Sequence, residues 1–383
     1  MDRFYTETQT MVGESVRKFA EDAVLPAAAA IDHDDVFPKE IYARLAEMGL
    51  FGAGLPEEEG GSAFDTVTLA IAMEELASCS GSVGNILAIP LEAARFLHNH
   101  GDDCHKKNIP GVLGGKLIPA TGVSEPDFGS DVASMRTTAV RDDGEYVING
   151  TKAWVSLGLV ANLFFVFAKT DLEKGYRGIS CFLVHGDNPG LARGRKEDLL
   201  GMHGLATSQI DFNNCRVPAA MRIGPENNAF KMAMVNFDFG RILMSAMALG
   251  IARAAYEDAL EYAKERVQFG KPIFEFQAVQ FMLADMSTDL AAARLLIHHS
   301  ARLLDAGHPI VKEAAHAKLF TTDMAMKHVT NALQIYGGNG YSKEYRIERL
   351  FRDIKLTQIY EGTNQIQRLI IARQIDVDKA RAK

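Results

Sequence analysis

The sequence predicts an α+β chain of three parts: an N-terminal α-helical domain (residues 1–116), a middle antiparallel β-domain (117–224) and a C-terminal four-helix bundle (225–383). Three observations carry that expectation. Apolar residues recur at helical spacing up to about Lys116, short β-branched and aromatic runs bounded by Gly, Pro and Asn follow from Thr137, and long helical runs return after Pro225. A length of 383 residues leaves room for two or three domains with real cores.

In the first part Val12, Val16, Phe19 and Val24 mark a helix that is expected to stop at Pro26, and Pro38 opens a second with Ile41, Leu45 and Met48. The acidic turn Leu55 to Gly61 reads as a solvated loop ahead of an apolar helix, Thr66 to Leu76. His98, His100, Cys104 and His105 gather around Gly101, a pattern that fits a polar helix end better than a metal site, so no metal is expected.

Between Lys116 and Gly224 the period changes. Thr137 to Val140 and Tyr146 to Ile148 flank Asp143-Gly144 as a hairpin, and Asn149-Gly150 signals a second turn before Lys152 to Ser156. NLFFVFAKT, GISCFLVHG and SQIDFNNCRVP read as further strands, and no G-x-G-x-x-G turn between strand and helix is present. A dinucleotide bound here would not be held by a Rossmann unit. Asn227 to Ala263, Ala278 to Leu304 and Ile310 to Leu333 then form long helices joined by short Gly- and Pro-containing connections, the pattern of a bundle.

A formal net charge of -8 supplies no cationic field for nucleic acid or anionic lipid. Cys79, Cys104, Cys181 and Cys215 form no C-x-x-C pair, which suits a reducing compartment. The N-terminus carries acids among its bases and lacks an apolar core, and no window approaches the ~20 apolar residues of a membrane span. A soluble cytoplasmic protein is expected.

Two stretches suggest chemistry on their own. In IYEGTNQIQR, Glu361 stands between an aromatic residue and Gly362, where its side chain and backbone N–H can face one substrate; a structural turn is the alternative reading. In YGGNGY, Gly337 and Gly338 allow close backbone approach to a ligand, or a plain tight turn.

Taken together, GVSEPDFGSD (122–131), KAWVS (152–156), NFDFGR (236–241), RVQFGKPI (266–273), QIYGGNGY (334–341) and IYEGTNQIQR (359–368) resemble the acyl-CoA dehydrogenase family over nearly the whole chain. The resemblance implies an FAD enzyme that removes hydrogens from Cα and Cβ of an acyl-CoA thioester, leaving a trans-2-enoyl-CoA, with electron-transfer flavoprotein as acceptor and a homotetramer as the usual assembly. Glu361 is the implied base, because Gly240 occupies the other position at which family members carry a catalytic glutamate. Val123, Ser124 and Ser130 belong to the loop between flavin and thioester, Trp154 shields the flavin edge, and Ser156 donates to flavin N5. In a strand Trp154 and Ser156 would share a face. Arg266 is implied to pair with the FAD pyrophosphate of a neighbouring subunit, followed on the same element by Phe269 and Gln277, with Gln334, Gly337 and Gly338 beside them. Thr363 and Gln365 serve the cofactor. Asp238, Arg241, Gly362 and again Ser130 are implied to contact substrate. Phe128 departs from the small residue usual before Gly-Ser-Asp, which bears on the shape of the acyl or pantetheine channel. It keeps a cyclic or branched substrate, or an oxidase, as alternatives, and a non-catalytic flavoprotein scaffold is the reading from another class.

Overall fold

A computed structural model describes residues 5–381. Helix α1 (Glu7–Phe19) starts from a capping box in which the Thr6 hydroxyl accepts from the Gln9 N–H while the Gln9 side chain accepts from the Thr6 N–H. The helical path does not stop at Pro26. A π-helical turn, Ala20–Val24, leads into α2 (Leu25–Asp34), with Pro26 in its first turn. The wider turn accommodates the ring and the missing N–H that would break a regular helix. Helices α3 (Lys39–Glu47), α4 (Thr66–Cys79), α5 (Gly81–His100), α6 (Asp103–Lys106) and α7 (Ile109–Leu113) follow. The acidic turn before α4 is not wholly solvated, because Glu59 pairs with His98 at 2.8 Å and Lys106 at 3.3 Å. His105 is buried and its Nδ1 accepts from the Asp102 N–H, while Cys104 Sγ donates to the Ala220 carbonyl.

One mixed sheet forms the middle of the chain, with strands β1 (Pro119–Gly122), β2 (Thr138–Asp142), β3 (Glu145–Val155), β4 (Leu163–Lys169), β5 (Ile179–His185), β6 (Leu191–Lys196), β7 (Ser208–Pro218) and β8 (Arg222–Ile223). Its order is β6-β7-β3-β2-β4-β5-β8, and β1 joins β4 in parallel, as does β2 through a single pair, so the sheet is antiparallel only in its main ladders. The Asp143-Gly144 turn closes the β2–β3 hairpin with both residues at positive φ. Asn149-Gly150 makes no second turn. β3 runs through it with a register shift between Ile148 and Gly150, a bulge where Gly150 takes φ +146°.

The remaining chain is α8 (Ala229–Glu265), a small hairpin of β9 (Val267–Gln268) and β10 (Lys271–Pro272), α9 (Gln277–Asp305), α10 (Val311–Tyr336), α11 (Ile347–Thr357) and α12 (Asn364–Arg381). One apolar core joins Met73, Leu76 and Ile86 of α4 and α5 to Ile242, Met247 and Ile251 of α8 and to Val329 and Ile354 beyond. A second core sets Phe96 and Leu97 of α5 and Met232 of α8 under Phe165 and Phe167 of β4. Both faces of β4 are therefore covered, which is why its sequence lacks alternation. Contrary to the expectation of no span-like window, α8 is long and apolar enough to cross a bilayer, but most of it is buried in this core.

Candidate active site

Glu361 lies in the short loop between α11 and α12 with φ 54°, a left-handed conformation disfavoured for a residue with a Cβ, and Gly362 follows at φ 82°. Three side chains hold that backbone. Lys318 Nζ, fully buried on α10, donates to the Gly362 carbonyl at 2.9 Å and to Asn364 Oδ1 at 2.7 Å. Gln367 Nε2 donates to the carbonyls of Glu361 (3.1 Å) and Gly362 (2.9 Å), and Arg241 Nε donates to the Glu361 carbonyl at 3.4 Å. A Cβ on residue 362 would meet Gln367 Nε2 at 2.8 Å and displace the clamping amide, while the positive φ is what favours glycine here.

The Glu361 side chain is left unengaged by this clamp. Its Oε2 is sealed from solvent without a hydrogen-bond partner, and no acceptor among the described residues takes its backbone N–H. Burial pushes the carboxyl above the usual glutamate range, and the charges of Arg241 and Lys318 pull it part of the way back. Arg241 is itself buried and donates to Asp238 Oδ1 at 2.5 Å. Burial raises the Asp238 carboxyl to about 6 against the opposing pull of Arg241.

Of the other residues singled out in the sequence, Thr363 is half-buried, and its hydroxyl accepts from the Ile366 N–H as a cap on α12, while Gln365 is exposed. Val123 and Ser124 follow β1 and are tied to β3: the Val123 carbonyl accepts from Lys152 Nζ at 3.1 Å and the Ser124 carbonyl from the Ala153 N–H at 2.9 Å. Lys152 is fully buried and bonded to Glu125 at 2.9 Å, which anchors this loop. Phe128 closes a two-bond turn with Glu125 and carries the Arg136 guanidinium 5.1 Å over its ring; Ser130 is exposed beyond it.

Strand alternation does not relate Trp154 to Ser156. Trp154 has φ 58° at a register shift between Lys152 and Val155, and Ser156 lies past the end of β3, so the period of two is broken between them. Trp154 is 60% exposed, unusual for the single tryptophan of the chain.

Arg266, Phe269 and Gln277 also fail to share one element: Arg266 caps α8, Phe269 sits at the tip of the β9–β10 hairpin with φ 52°, and Gln277 starts α9. The fold still gathers this region. Phe269 and Gln334 line one groove of about 330 Å³ with Phe276 and Val279, and Gly337 and Gly338 beside Gln334 leave open space where a side chain would be. Phe269 is 94% exposed and the exposed Arg266 guanidinium has no ion-pair partner among the described residues. This cluster is not brought to Glu361. Arg266 and Arg241 are 25 residues apart on one helix, so at 1.5 Å per residue about 37 Å separates them along its axis.

Lys318, Asn364 and Gln367 were not legible as site residues, and neither was Glu92 on α5. An ideal Cβ on Gly240 would lie 2.9 Å from Glu92 Oε1, so a carboxyl from another helix fills the space beside that glycine. Burial, and secondarily the Glu361 charge, holds the Glu92 carboxyl well above the usual range.

Comparison with known proteins places this geometry in context. Sequence models of the acyl-CoA dehydrogenase N-terminal, middle and C-terminal domains match residues 6–116, 120–215 and 227–375. An acyl-CoA dehydrogenase of Bacillus subtilis is 42% identical over 372 residues, covering 97% of this chain and 98% of its own. The acryloyl-CoA reductase (NADH) of Anaerotignum propionicum is 42% identical over 379 residues, covering 98% and 96%. Among solved structures, butyryl-CoA dehydrogenase from Megasphaera elsdenii superposes with a TM-score of 0.95 at 38% identity, covering 98% of this chain and all of that one.

Proposed function

The chain belongs to the acyl-CoA dehydrogenase family, and from that premise we propose that it catalyses FAD-dependent α,β-dehydrogenation of an acyl-CoA to a trans-2-enoyl-CoA, with Glu361 as the base. The observation that carries this reading is the unengaged carboxyl of Glu361, one oxygen of which is sealed from solvent, on a backbone clamped by Lys318, Gln367 and Arg241. A thioester α-proton is a weak acid, and a base raised above the glutamate range narrows the mismatch by about 1.4 kcal/mol per unit. The free Glu361 N–H supports a second role as a donor to the thioester carbonyl, where negative charge develops as the proton leaves.

FAD, when bound, supplies the acceptor for hydride leaving Cβ. The residues suit such a group: a 60% exposed Trp154 near Ser156 and the Val123–Ser124 loop offers an apolar platform with hydroxyls, the groove of Phe269 and Gln334 adjoins the bare backbone of Gly337 and Gly338, and Arg266 and Gln277, at the ends of the two helices that flank the β9–β10 hairpin, add an exposed guanidinium and an amide for phosphates. Because about 37 Å of helix separates Arg266 from Arg241, we assign these two clusters to sites built from different protomers, which requires at least a dimer and suits a homotetramer. We assign Asp238, Arg241, Gly362 and Ser130 to the substrate side and Thr363 and Gln365 to the cofactor side. Electron-transfer flavoprotein is the proposed acceptor, and four free cysteines fit the reducing cytoplasm.

Anaerobic addition of saturated acyl-CoAs tests the reading. The expected result is bleaching of the flavin by at least one thioester, and persistent yellow colour with all of them would overturn it. The 42% identity to an acryloyl-CoA reductase favours one second reading, in which the same site runs toward saturation of an enoyl-CoA. Reoxidation of reduced enzyme by acryloyl-CoA faster than its reduction by propionyl-CoA would select that direction. Oxygen consumption in turnover would select an oxidase.

A further inference from the structure

The ammonium of Lys152 on β3 is fully buried and donates to Glu125 Oε1 at 2.9 Å, to the Val123 carbonyl at 3.1 Å and to Met135 Sδ at 3.8 Å, which uses all its donors. The Glu125 carboxylate, also buried, accepts in addition from the N–H groups of Arg136 (2.6 Å) and Thr137 (2.9 Å). The segment 123–137 is therefore closed on this pair from both ends. Gly122, just ahead of it, packs against the lysine stem, where an added Cβ would lie 3.0 Å from Lys152 Cγ. On the strand side the register shift of β3 between Lys152 and Val155 follows at once, with the Ala153 N–H bonded to the Ser124 carbonyl and Trp154 at φ 58°. A buried ion pair adds little net stability over an apolar pair of the same volume, whereas a fully satisfied polar network fixes one arrangement of the segments that meet at it.

We propose that Lys152 and Glu125 are positioning residues for the flavin: their ion pair sets the Val123–Ser124 loop and the Trp154–Ser156 segment as one wall, and hydride transfer depends on it more than affinity for FAD or thioester does. The inference rests on the FAD-dependent reading above. Glu125 adjoins Ser124 and Lys152 is two residues from Trp154, so this one pair fixes the loop side and the strand side of the wall relative to each other. Transfer from Cβ is sensitive to such placement, because a misplacement of about 1 Å can cost about a hundredfold in rate. Binding spread over many contacts is less sensitive to the same shift.

The test uses Lys152→Met, Glu125→Gln and the double variant as FAD-loaded oligomers. Anaerobic single-turnover reduction by saturating butyryl-CoA or hexanoyl-CoA, expressed per bound flavin, counts only folded and loaded molecules. Each single variant is expected to reduce at least about tenfold more slowly, with Kd for FAD and thioester within about threefold of wild type, and the double variant to fall no further than Lys152→Met. Trp154, the only tryptophan, reports the same wall without turnover: its quenching by acrylamide and by bound FAD should change in all three. A purely structural pair would lower FAD content or thermal stability and leave the rate per flavin and the Trp154 emission at wild-type values, which would overturn the proposal. So would additive losses in the double variant. If Lys152→Met does not fold, Glu125→Gln, which keeps an oxygen acceptor in the same volume, decides alone. If no saturated acyl-CoA reduces the wild-type flavin, the dehydrogenase reading falls, and Trp154 quenching still decides whether the pair sets the wall.

Discussion

Lys318 Nζ lies 2.9 Å from the carbonyl oxygen of Gly362, reaching it from a fully buried position on α10. This bond turns a strained loop into a fixed one. A non-glycine residue in the left-handed region costs about 1–2 kcal/mol, and Glu361 holds that conformation because Lys318, Gln367 and Arg241 bond its own carbonyl and that of Gly362. Burial lowers the Lys318 ammonium to about 7, with the Glu361 charge opposing the fall.

Replacing Lys318 by Met is expected to keep FAD and lower the rate of flavin reduction at least about tenfold by loosening the loop. It should also move the pH profile upward, because one of the two cations that stabilise ionised Glu361 is lost. Stopped-flow reduction across pH reads both effects, and an unmoved profile with normal rate would remove Lys318 from a positioning role.

Glu361→Gln should retain bound FAD and substrate affinity while losing several kcal/mol of barrier reduction, seen as near-absent bleaching. In the wild type, reduction should rise with pH through a value above the ordinary glutamate range, since only the ionised carboxyl accepts the proton and burial disfavours that form.

For Arg266→Ala the expected outcome is purification without FAD and a smaller oligomer, checked by absorbance and sedimentation. Because this guanidinium is exposed and has no ion-pair partner among the described residues, loss of FAD would not be explained by a broken ion pair within the protomer. Full retention of cofactor would exclude it from the pyrophosphate site.

His298 provides a pH test of stability. Burial lowers its folded value to about 4, below the unfolded value of about 6.5, so the unfolded chain binds the extra proton between these limits. The contribution is whole above about 6.5 and is lost as pH falls toward 4, up to about 3 kcal/mol. His298→Phe keeps a ring beside Tyr5, which lies 5.7 Å away in the native protein, and removes the titration. Denaturant unfolding at pH 7 and pH 4.5 should show a smaller acid loss in the variant than in the wild type.

Much of the architecture was legible because burial leaves a period in the sequence. The long helices after Pro225, the β2–β3 hairpin and the strand Ser208–Pro218 follow from patterning and turn residues. Local rules misjudged Pro26, where a π turn admits the ring, and Asn149-Gly150 and the Trp154–Ser156 pair, where register shifts of β3 against β7, a strand about 60 residues on, set the backbone.

For the site, the chain by itself marked Glu361 as a carboxylate next to a glycine, and family resemblance marked its neighbours and the vacancy at Gly240. Only the tertiary structure decided that Lys318 and Gln367 clamp the loop, that the Glu92 carboxyl fills the space at Gly240, and that Arg266 lies about 37 Å along α8 from Arg241. The reason is physical. A periodic pattern reports which face of an element is buried, whereas the partner of a buried lysine or glutamate is set by helix packing between segments tens to hundreds of residues apart.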